Sequence, residues 1–415
     1  MVFYGWWIVG ACFLVNVCVG GVVYFGFTAL FEPIANEFGW SYALVSLASS
    51  LRGLEMGILS PVTGLLVDRY GPRKLVFGGA ILLGTGLMLL SRINTLAMFY
   101  GAFALVAMGM SACIGAPLVT AIAHWFQRKM STAMGIAACG VAVGGLFIPL
   151  ITMFIDVYGW RVAIFSLGLG ISVIILLLSL VLRHKPEPYG YLPDGEAVGN
   201  MVDRPEALAR ELTGEPQLRT KQFMGMRTFW YIALAYMGLF TVISAVIVHI
   251  MPYLSNLGID RSMSSLLASA MPLVTIPGRL GFGWLGDRFN KKWLAVAAFG
   301  LMILGTLSFG LIANGGIWLA LPFIVFFGVG YGGTAVMGPV LVGGYFGRQS
   351  FGVIMGFLMG ISSVGQIVGP TLAGRIFDVW GSYQGIWFAF AVLGVVVTMV
   401  MAATPPVSGR QSVSR

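Results

Sequence analysis

Apolar runs of 18 to 30 residues, each ended by glycine, proline or charge, recur along almost the whole chain. A helix rises 1.5 Å per residue, so about 20 apolar residues cross a bilayer core. The runs predict twelve spanning helices, over 6–31, 41–67, 75–92, 96–125, 132–156, 161–182, 228–256, 262–286, 293–313, 316–345, 352–377 and 382–403. The one long polar stretch is 183–227, with seven basic and seven acidic residues. It divides the chain into a six-helix bundle over 1–182, a loop over 183–227, a second bundle over 228–403 and a tail over 404–415. Inside the loop, Asp203-Arg-Pro205-Glu206 followed by Ala207, Leu208 and Leu212 predicts a short surface helix. Met1-Val-Phe-Tyr-Gly-Trp-Trp lacks a basic stretch and runs straight into apolar sequence, so it reads as an uncleaved first span.

Composition agrees with a bilayer protein: 58% of the 415 residues are hydrophobic and 9% charged, against roughly 45–50% and about 25% in soluble domains. The net charge of +9 gains meaning from its placement. Eighteen basic residues fall on one side of the predicted spans: Arg69, Arg73, Lys74, Arg128, Lys129, the seven of the central loop, Arg288, Lys291, Lys292, Arg348, Arg410 and Arg415. Four fall on the other, Arg92, Arg161, Arg261 and Arg375. By the positive-inside rule both termini are cytoplasmic, and the charge needs no nucleic-acid partner; the expected location is a bacterial inner membrane. Cys12, Cys18, Cys113 and Cys139 lie in apolar stretches without metal-ligand spacing and read as small buried hydrophobes. No nucleophile–base set, metal cluster or phosphate loop appears, so the sequence predicts neither an enzyme nor a cofactor.

The second half repeats the first. Gly64-Leu-Leu-Val-Asp68-Arg69-Tyr-Gly71-Pro-Arg73-Lys74 returns as Gly283-Trp-Leu-Gly-Asp287-Arg288-Phe-Asn-Lys291-Lys292, an offset of 219. Trp125-Phe126-Gln-Arg128 returns as Tyr345-Phe346-Gly-Arg348 at 220, Pro149 as Pro370 at 221, and Asp156-Val-Tyr-Gly159 as Asp378-Val-Trp-Gly381 at 222. An even number of spans per half gives the halves the same orientation. The predicted fold class is an all-α membrane protein of two parallel-repeat six-helix bundles, with a substrate site at the midplane.

On these residues the chain resembles the major facilitator superfamily, which carries G-x-x-x-D-R-x-G-x-R-K in the cytoplasmic turn after its second span. Tyr4-Gly5-Trp6-Trp7, Phe31-Glu-Pro-Ile-Ala-Asn-Glu-Phe38-Gly-Trp40-Ser41, Val248-His249-Ile-Met-Pro252-Tyr253, Gly278-Arg279-Leu-Gly281 and Gly330-Tyr331-Gly332-Gly333 with Pro339 narrow the likeness. They resemble the monocarboxylate transporters and the bacterial oxalate/formate antiporters. The resemblance implies alternating-access transport of a small monocarboxylate such as lactate or pyruvate, by proton-coupled symport. It implies that Arg279 binds the substrate carboxylate. It also implies that the turn of Gly64, Asp68, Arg69, Gly71 and Arg73, with its repeat Asp287 and Arg288, is a gating motif whose aspartate meets a helix N-terminus in the opposite half. Two positions depart from the family: Thr275 stands where an aspartate is common, and Tyr24 and Phe25 where a lysine is. Both family residues are associated with proton coupling.

The residues themselves support part of this. Arg279 lies about 17 residues into the eighth run, roughly 25 Å from its outer end by helical rise. A mid-membrane arginine usually faces a cavity or a partner, and its fork matches a carboxylate; the other reading is a structural pair within the bundle. Pro272 and Pro277 interrupt the same run. Arg52 and Glu55, three apart on the second run, can face each other as a structural pair or carry protons. His249 can titrate near neutral pH or serve as a packing residue. Tyr331 can donate to a carboxylate or pack at a membrane interface, and Tyr24, Phe27 and Thr28 are candidate pocket residues of the first span. Gly140, Gly144, Gly145, Pro149, Gly360, Gly365, Gly369 and Pro370 read as sites of close packing and bending. The expected partners are a small organic anion, a co-transported proton and the lipid bilayer, with a monomeric chain. Carboxylate/carboxylate antiport is the first alternative; an exporter of amphipathic compounds and a membrane receptor stand further off.

Overall fold

The computed structural model describes residues 3–40, 42–195, 220–347 and 350–405. The predicted surface helix at 203–212 lies outside them. The fold is all-α. The first helix, α1 (Tyr4–Val19), passes through one π-helical stretch, Gly20–Phe25, into α2 (Gly26–Phe38). Helix therefore continues well past the end predicted at residue 31. Then come α3 (Tyr42–Tyr70), α4 (Pro72–Leu90), α5 (Leu96–Cys113), α6 (Ala116–Trp125), α7 (Met130–Gly145), α8 (Ile148–Tyr158) and α9 (Trp160–Val181). The later part holds a single turn α10 (Thr220–Met224), then α11 (Arg227–Asn256), α12 (Arg261–Gly286), α13 (Lys291–Gly315), α14 (Ala320–Phe346), α15 (Phe351–Trp380) and α16 (Gln384–Ala402).

Local sequence accounts for the boundaries. Thr95 caps α5, its hydroxyl oxygen accepting from the Met98 amide at 3.3 Å. Gly71, at φ +82°, turns the chain before Pro72 opens α4. The predicted fourth run is two helices, because Gly115 at φ +71° breaks it between α5 and α6. The fifth is likewise divided into α7 and α8, ahead of Pro149. Among the described residues, eleven helical stretches are long and apolar enough to cross a membrane by length and composition. The remaining predicted run, 41–67, is α3, whose 29 residues include the charges Arg52 and Glu55.

The chain forms two compact units, Met1–Leu218 with Gly347–Gly360, and Arg219–Phe346 with Ile361–Arg415. In the second unit, buried rings form the core: Phe309 stacks on Phe323 at 4.2 Å and packs against Tyr253 and Trp387. The Tyr253 hydroxyl donates to the Phe309 carbonyl at 3.0 Å, satisfying a polar atom that lipid could not. Apolar burial gives little driving force between helices in lipid, so close packing does the holding, and small residues permit it.

Candidate substrate site and gating turn

The clearest crossing in the second unit is that of α12 over α14. A Cβ built on Gly332 would sit 2.2 Å from the Thr275 carbonyl oxygen and 2.9 Å from the Arg279 nitrogen. One on Gly278 would sit 2.3 Å from the Val329 carbonyl oxygen. Only hydrogen fits on either side, so the two backbones touch; Arg279 lies at this crossing, and Tyr331 directly precedes Gly332. Arg279 is buried, with 7% of its surface exposed, and Tyr331 is half-buried. A guanidinium keeps its charge in such a place because it does not release its proton.

Thr275 is also buried, and its hydroxyl donates to the Pro272 carbonyl at 2.6 Å. The position where the resembled family commonly has an acid therefore holds a neutral side chain engaged with its own helix.

His249 occupies a different setting. Its Nε2–H donates to the Pro370 carbonyl at 3.0 Å, and the Tyr383 hydroxyl donates to Nδ1 at 3.2 Å. Tyr383 in turn stacks on Phe377 at 4.3 Å. The histidine thus links α11, α15 and the start of α16. Tyr24 is 39% exposed in the π-helical turn, a local geometry that recurs at functional sites. Phe27 and Thr28 lie in α2 and Arg52 and Glu55 in α3, but their side chains lie outside the described residues.

The acidic–basic turn after α3 is the best-defined constellation in the first unit. Asp68 sits in the last turn of α3, beyond the apolar run 41–67. Its carboxylate accepts from the amides of Gly352 at 3.1 Å and Val353 at 2.9 Å, the first turn of α15. Those amides have no partner within their own helix, and the helix dipole favours an anion there. Burial pushes the Asp68 carboxyl up to about 6, against the opposing pull of the two amides and the Lys185 charge. A Cβ on Gly64 would sit 2.2 Å from the Gly352 carbonyl oxygen, so glycine lets α3 and α15 approach closely enough for these bonds. Arg69 and Arg73 are exposed, Arg69 lying 5.4 Å from the Tyr70 ring centroid. In the repeat, Asp287 ends α12 and Arg288 lies 3.8 Å from the centre of the Trp284 ring.

The sequence reading missed two polar sets. At one, Arg161 forms an ion pair with Glu37 at 2.7 Å and donates to the carbonyls of Ser91 and Ile93, while the Trp160 indole donates to Glu37. The hydrogen bond from Arg161 is the main cause of a Glu37 carboxyl held below its ordinary range. At the other, Asp194 accepts from the amides of Gln127, Arg128 and Lys129 ahead of α7. The turn signature Pro193-Asp194-Gly195 is its trace in the sequence. Among the described residues, no group of three or more His, Cys, Asp or Glu could hold a metal ion.

Eleven apolar spans among the described residues and a repeated acidic–basic turn mark a multi-pass membrane protein. The chain matches the Major Facilitator Superfamily over residues 12–256 and 233–414 and belongs to it; members of that family are transporters and not enzymes. It is 27% identical over 403 residues to monocarboxylate transporter 12-B of Danio rerio, covering 93% of this chain and 83% of that protein. It is 26% identical over 375 residues to the oxalate:formate antiporter of Oxalobacter formigenes, covering 89% and 84%. A solved structure of a proton:xylose symporter superposes with a TM-score of 0.77 at 14% identity, covering 97% of this chain and 96% of the other; that likeness is one of fold.

Proposed function

We propose that the chain carries a small monocarboxylate across the plasma membrane by alternating access, as a monomer with both termini in the cytoplasm. The observation that carries this reading is Arg279, buried on a proline-interrupted helix at the crossing of α12 and α14. A fixed cation in low dielectric attracts a carboxylate strongly, and the guanidinium fork supplies two parallel hydrogen bonds. Tyr331, at the same crossing, supplies a hydroxyl donor. The naming of relatives as monocarboxylate transporters and as an oxalate:formate antiporter supports the same substrate class.

In this reading Tyr24, Phe27 and Thr28 are candidate substrate-binding residues of the first span, and Glu55, Arg52 and His249 are the candidates for proton coupling. Asp68, with Gly64, Arg69, Gly71 and Arg73, acts as a gate latch on the N-terminus of α15; Asp287 and Arg288 are its repeat. The working division is one bundle over 1–182, the loop 183–227, a second bundle over 228–403 and the tail 404–415.

Uptake of radiolabelled lactate, pyruvate, formate and oxalate into proteoliposomes tests the assignment. Arg279→Gln should abolish saturable uptake of whichever acid the wild type carries; unchanged uptake in that variant overturns it. Carboxylate exchange is the second reading, favoured by the neutral Thr275 and by the antiporter relative. Uptake stimulated by carboxylate trapped inside, without need of a pH gradient, supports exchange. Uptake driven by an inward proton gradient supports symport.

A further inference from the structure

The segment that leaves α9 lies along the basic end of the first unit and is fastened at several points. The Trp125 indole donates to the Arg183 carbonyl at 3.2 Å, and the His124 Nδ1–H donates to the His184 carbonyl at 3.1 Å. The Arg183 guanidinium lies between two rings, 3.9 Å from Tyr4 and 4.0 Å from Tyr189. Both distances fall well within cation–π reach. The His184 ring lies against Gly71, where an added Cβ would sit 3.2 Å from it. Gly71 is the turn three residues after Asp68, and the Lys185 charge acts on Asp68 itself. Leu192, at 1% exposure, anchors the same segment in the apolar interior.

The far end is held by Asp194. Its carboxylate spans three successive amides, Gln127 at 3.1 Å, Arg128 at 2.7 Å and Lys129 at 3.4 Å. Successive amides turned toward one point make a concavity that favours an anion, here strengthened by the start of α7. Asp194 stands at φ +63°, the one non-glycine residue with positive φ among those described. That backbone region is unfavourable for a residue with a Cβ and persists where surrounding bonds over-determine it.

We propose that Arg183–Asp194 is a strap that controls the grip of Asp68 on α15, with Asp194 as its fastening point. The strap ties the gating turn at Gly71 to the end of α6, the start of α7 and the start of α1. Asp68 reaches from that turn to Gly352 and Val353. Whatever loosens the strap therefore loosens the hold on α15, and release of α15 loosens the strap by the same free energy. Asp194 is a positioning residue in this scheme, acting through the turn and not on the substrate. The inference rests on the reading of Asp68 as a gate latch.

Amide hydrogen exchange on the full chain in lipid nanodiscs tests it, with three variants. Asp194→Gly accepts the positive φ but has no carboxylate, and Asp194→Asn keeps an acceptor in a residue that tolerates that φ. In Asp194→Gly the amides of Gln127–Lys129 should exchange about tenfold faster, with a smaller rise at Gly352 and Val353. In Asp194→Asn most of the protection at both places should return. Unchanged exchange at Gln127–Lys129 overturns the fastening. Faster exchange there with none at Gly352 and Val353 overturns the control of α15. Asp68→Ala, which removes both acceptor oxygens, separates the strap from the latch. If it leaves Gly352 and Val353 unchanged, the latch reading itself fails. If it speeds them while Asp194→Gly does not, the strap alone fails.

Discussion

At the residue scale, geometry separates side chains that sequence alone treats alike. Arg279 and Arg161 are both arginines at the ends or middle of apolar runs. Arg161 pairs with Glu37 and two carbonyls past the end of α4, and Arg279 is buried inside an apolar run, where two helix backbones touch. If its fork holds a carboxylate, Arg279→Lys keeps the charge and loses one of two parallel bonds. Apparent substrate affinity in proteoliposomes should fall about 10- to 100-fold, the range for a hydrogen bond to a charged group; an affinity equal to wild type contradicts bidentate recognition.

His184 yields a pH prediction at the same scale. Burial, followed by the Lys185 charge, holds its ring down to about 4 from an ordinary 6.5. The folded strap therefore prefers the neutral ring. Its stabilising contribution is complete above the ordinary value and is lost as the pH falls from 6.5 through about 4. Protection of the amides of Leu182–Lys185, corrected for intrinsic exchange, should weaken between pH 7 and pH 5. His184→Phe should remove most of that dependence, since Phe cannot charge. The other titratable groups at this end, Asp68, His124, Lys185, Glu187 and Asp194, remain in the variant as controls.

At the element scale, the helices meet through glycine. The α12–α14 crossing leaves no space for a methyl group at Gly332, whose Cβ would meet backbone and not a movable side chain. Gly332→Ala should cost about 1–3 kcal/mol, as overpacking does, and lower the Tm of the detergent-solubilised protein. It should also disturb transport more than its stability loss predicts, because the shift falls on Arg279. Gly300→Ala is the matched control, since nothing lies within 4 Å of an added Cβ there; equal effects of the two substitutions would count against the crossing.

The repeat is legible at this scale too, and only partly symmetrical. Gly64 to Lys74 announces a turn in which glycine, aspartate and arginine have separate tasks, and the structure gives Asp68 two helix-terminal amides. The fastening of that turn by the strap left little trace in the sequence. Its contacts join residues far apart in the chain, 65 apart for Asp194 and Lys129 and more than a hundred for His184 and Gly71, and only folding of the first unit brings them together.

At the scale of the whole molecule, the asymmetry of basic residues makes a testable statement. Tags at residue 1 and residue 415 should both be reached by an impermeant antibody only after cells are permeabilised. A tag reached from outside at either end contradicts the assigned orientation. This test is independent of substrate identity and of every contact described above.

What the sequence determined by itself is the architecture: apolar length sets the number of spans, and four ordered motif pairs set the repeat. These properties are local or additive along the chain, so reading them requires no contacts. Tertiary structure decided what the polar residues do. It took up both nitrogens of His249 with Pro370 and Tyr383, closed the Thr275 hydroxyl onto its own helix, and brought Tyr331 to the crossing that buries Arg279. In a membrane each buried polar atom must find a partner within the protein. The partner is chosen by which helices touch, and that choice is made by packing across distant parts of the chain.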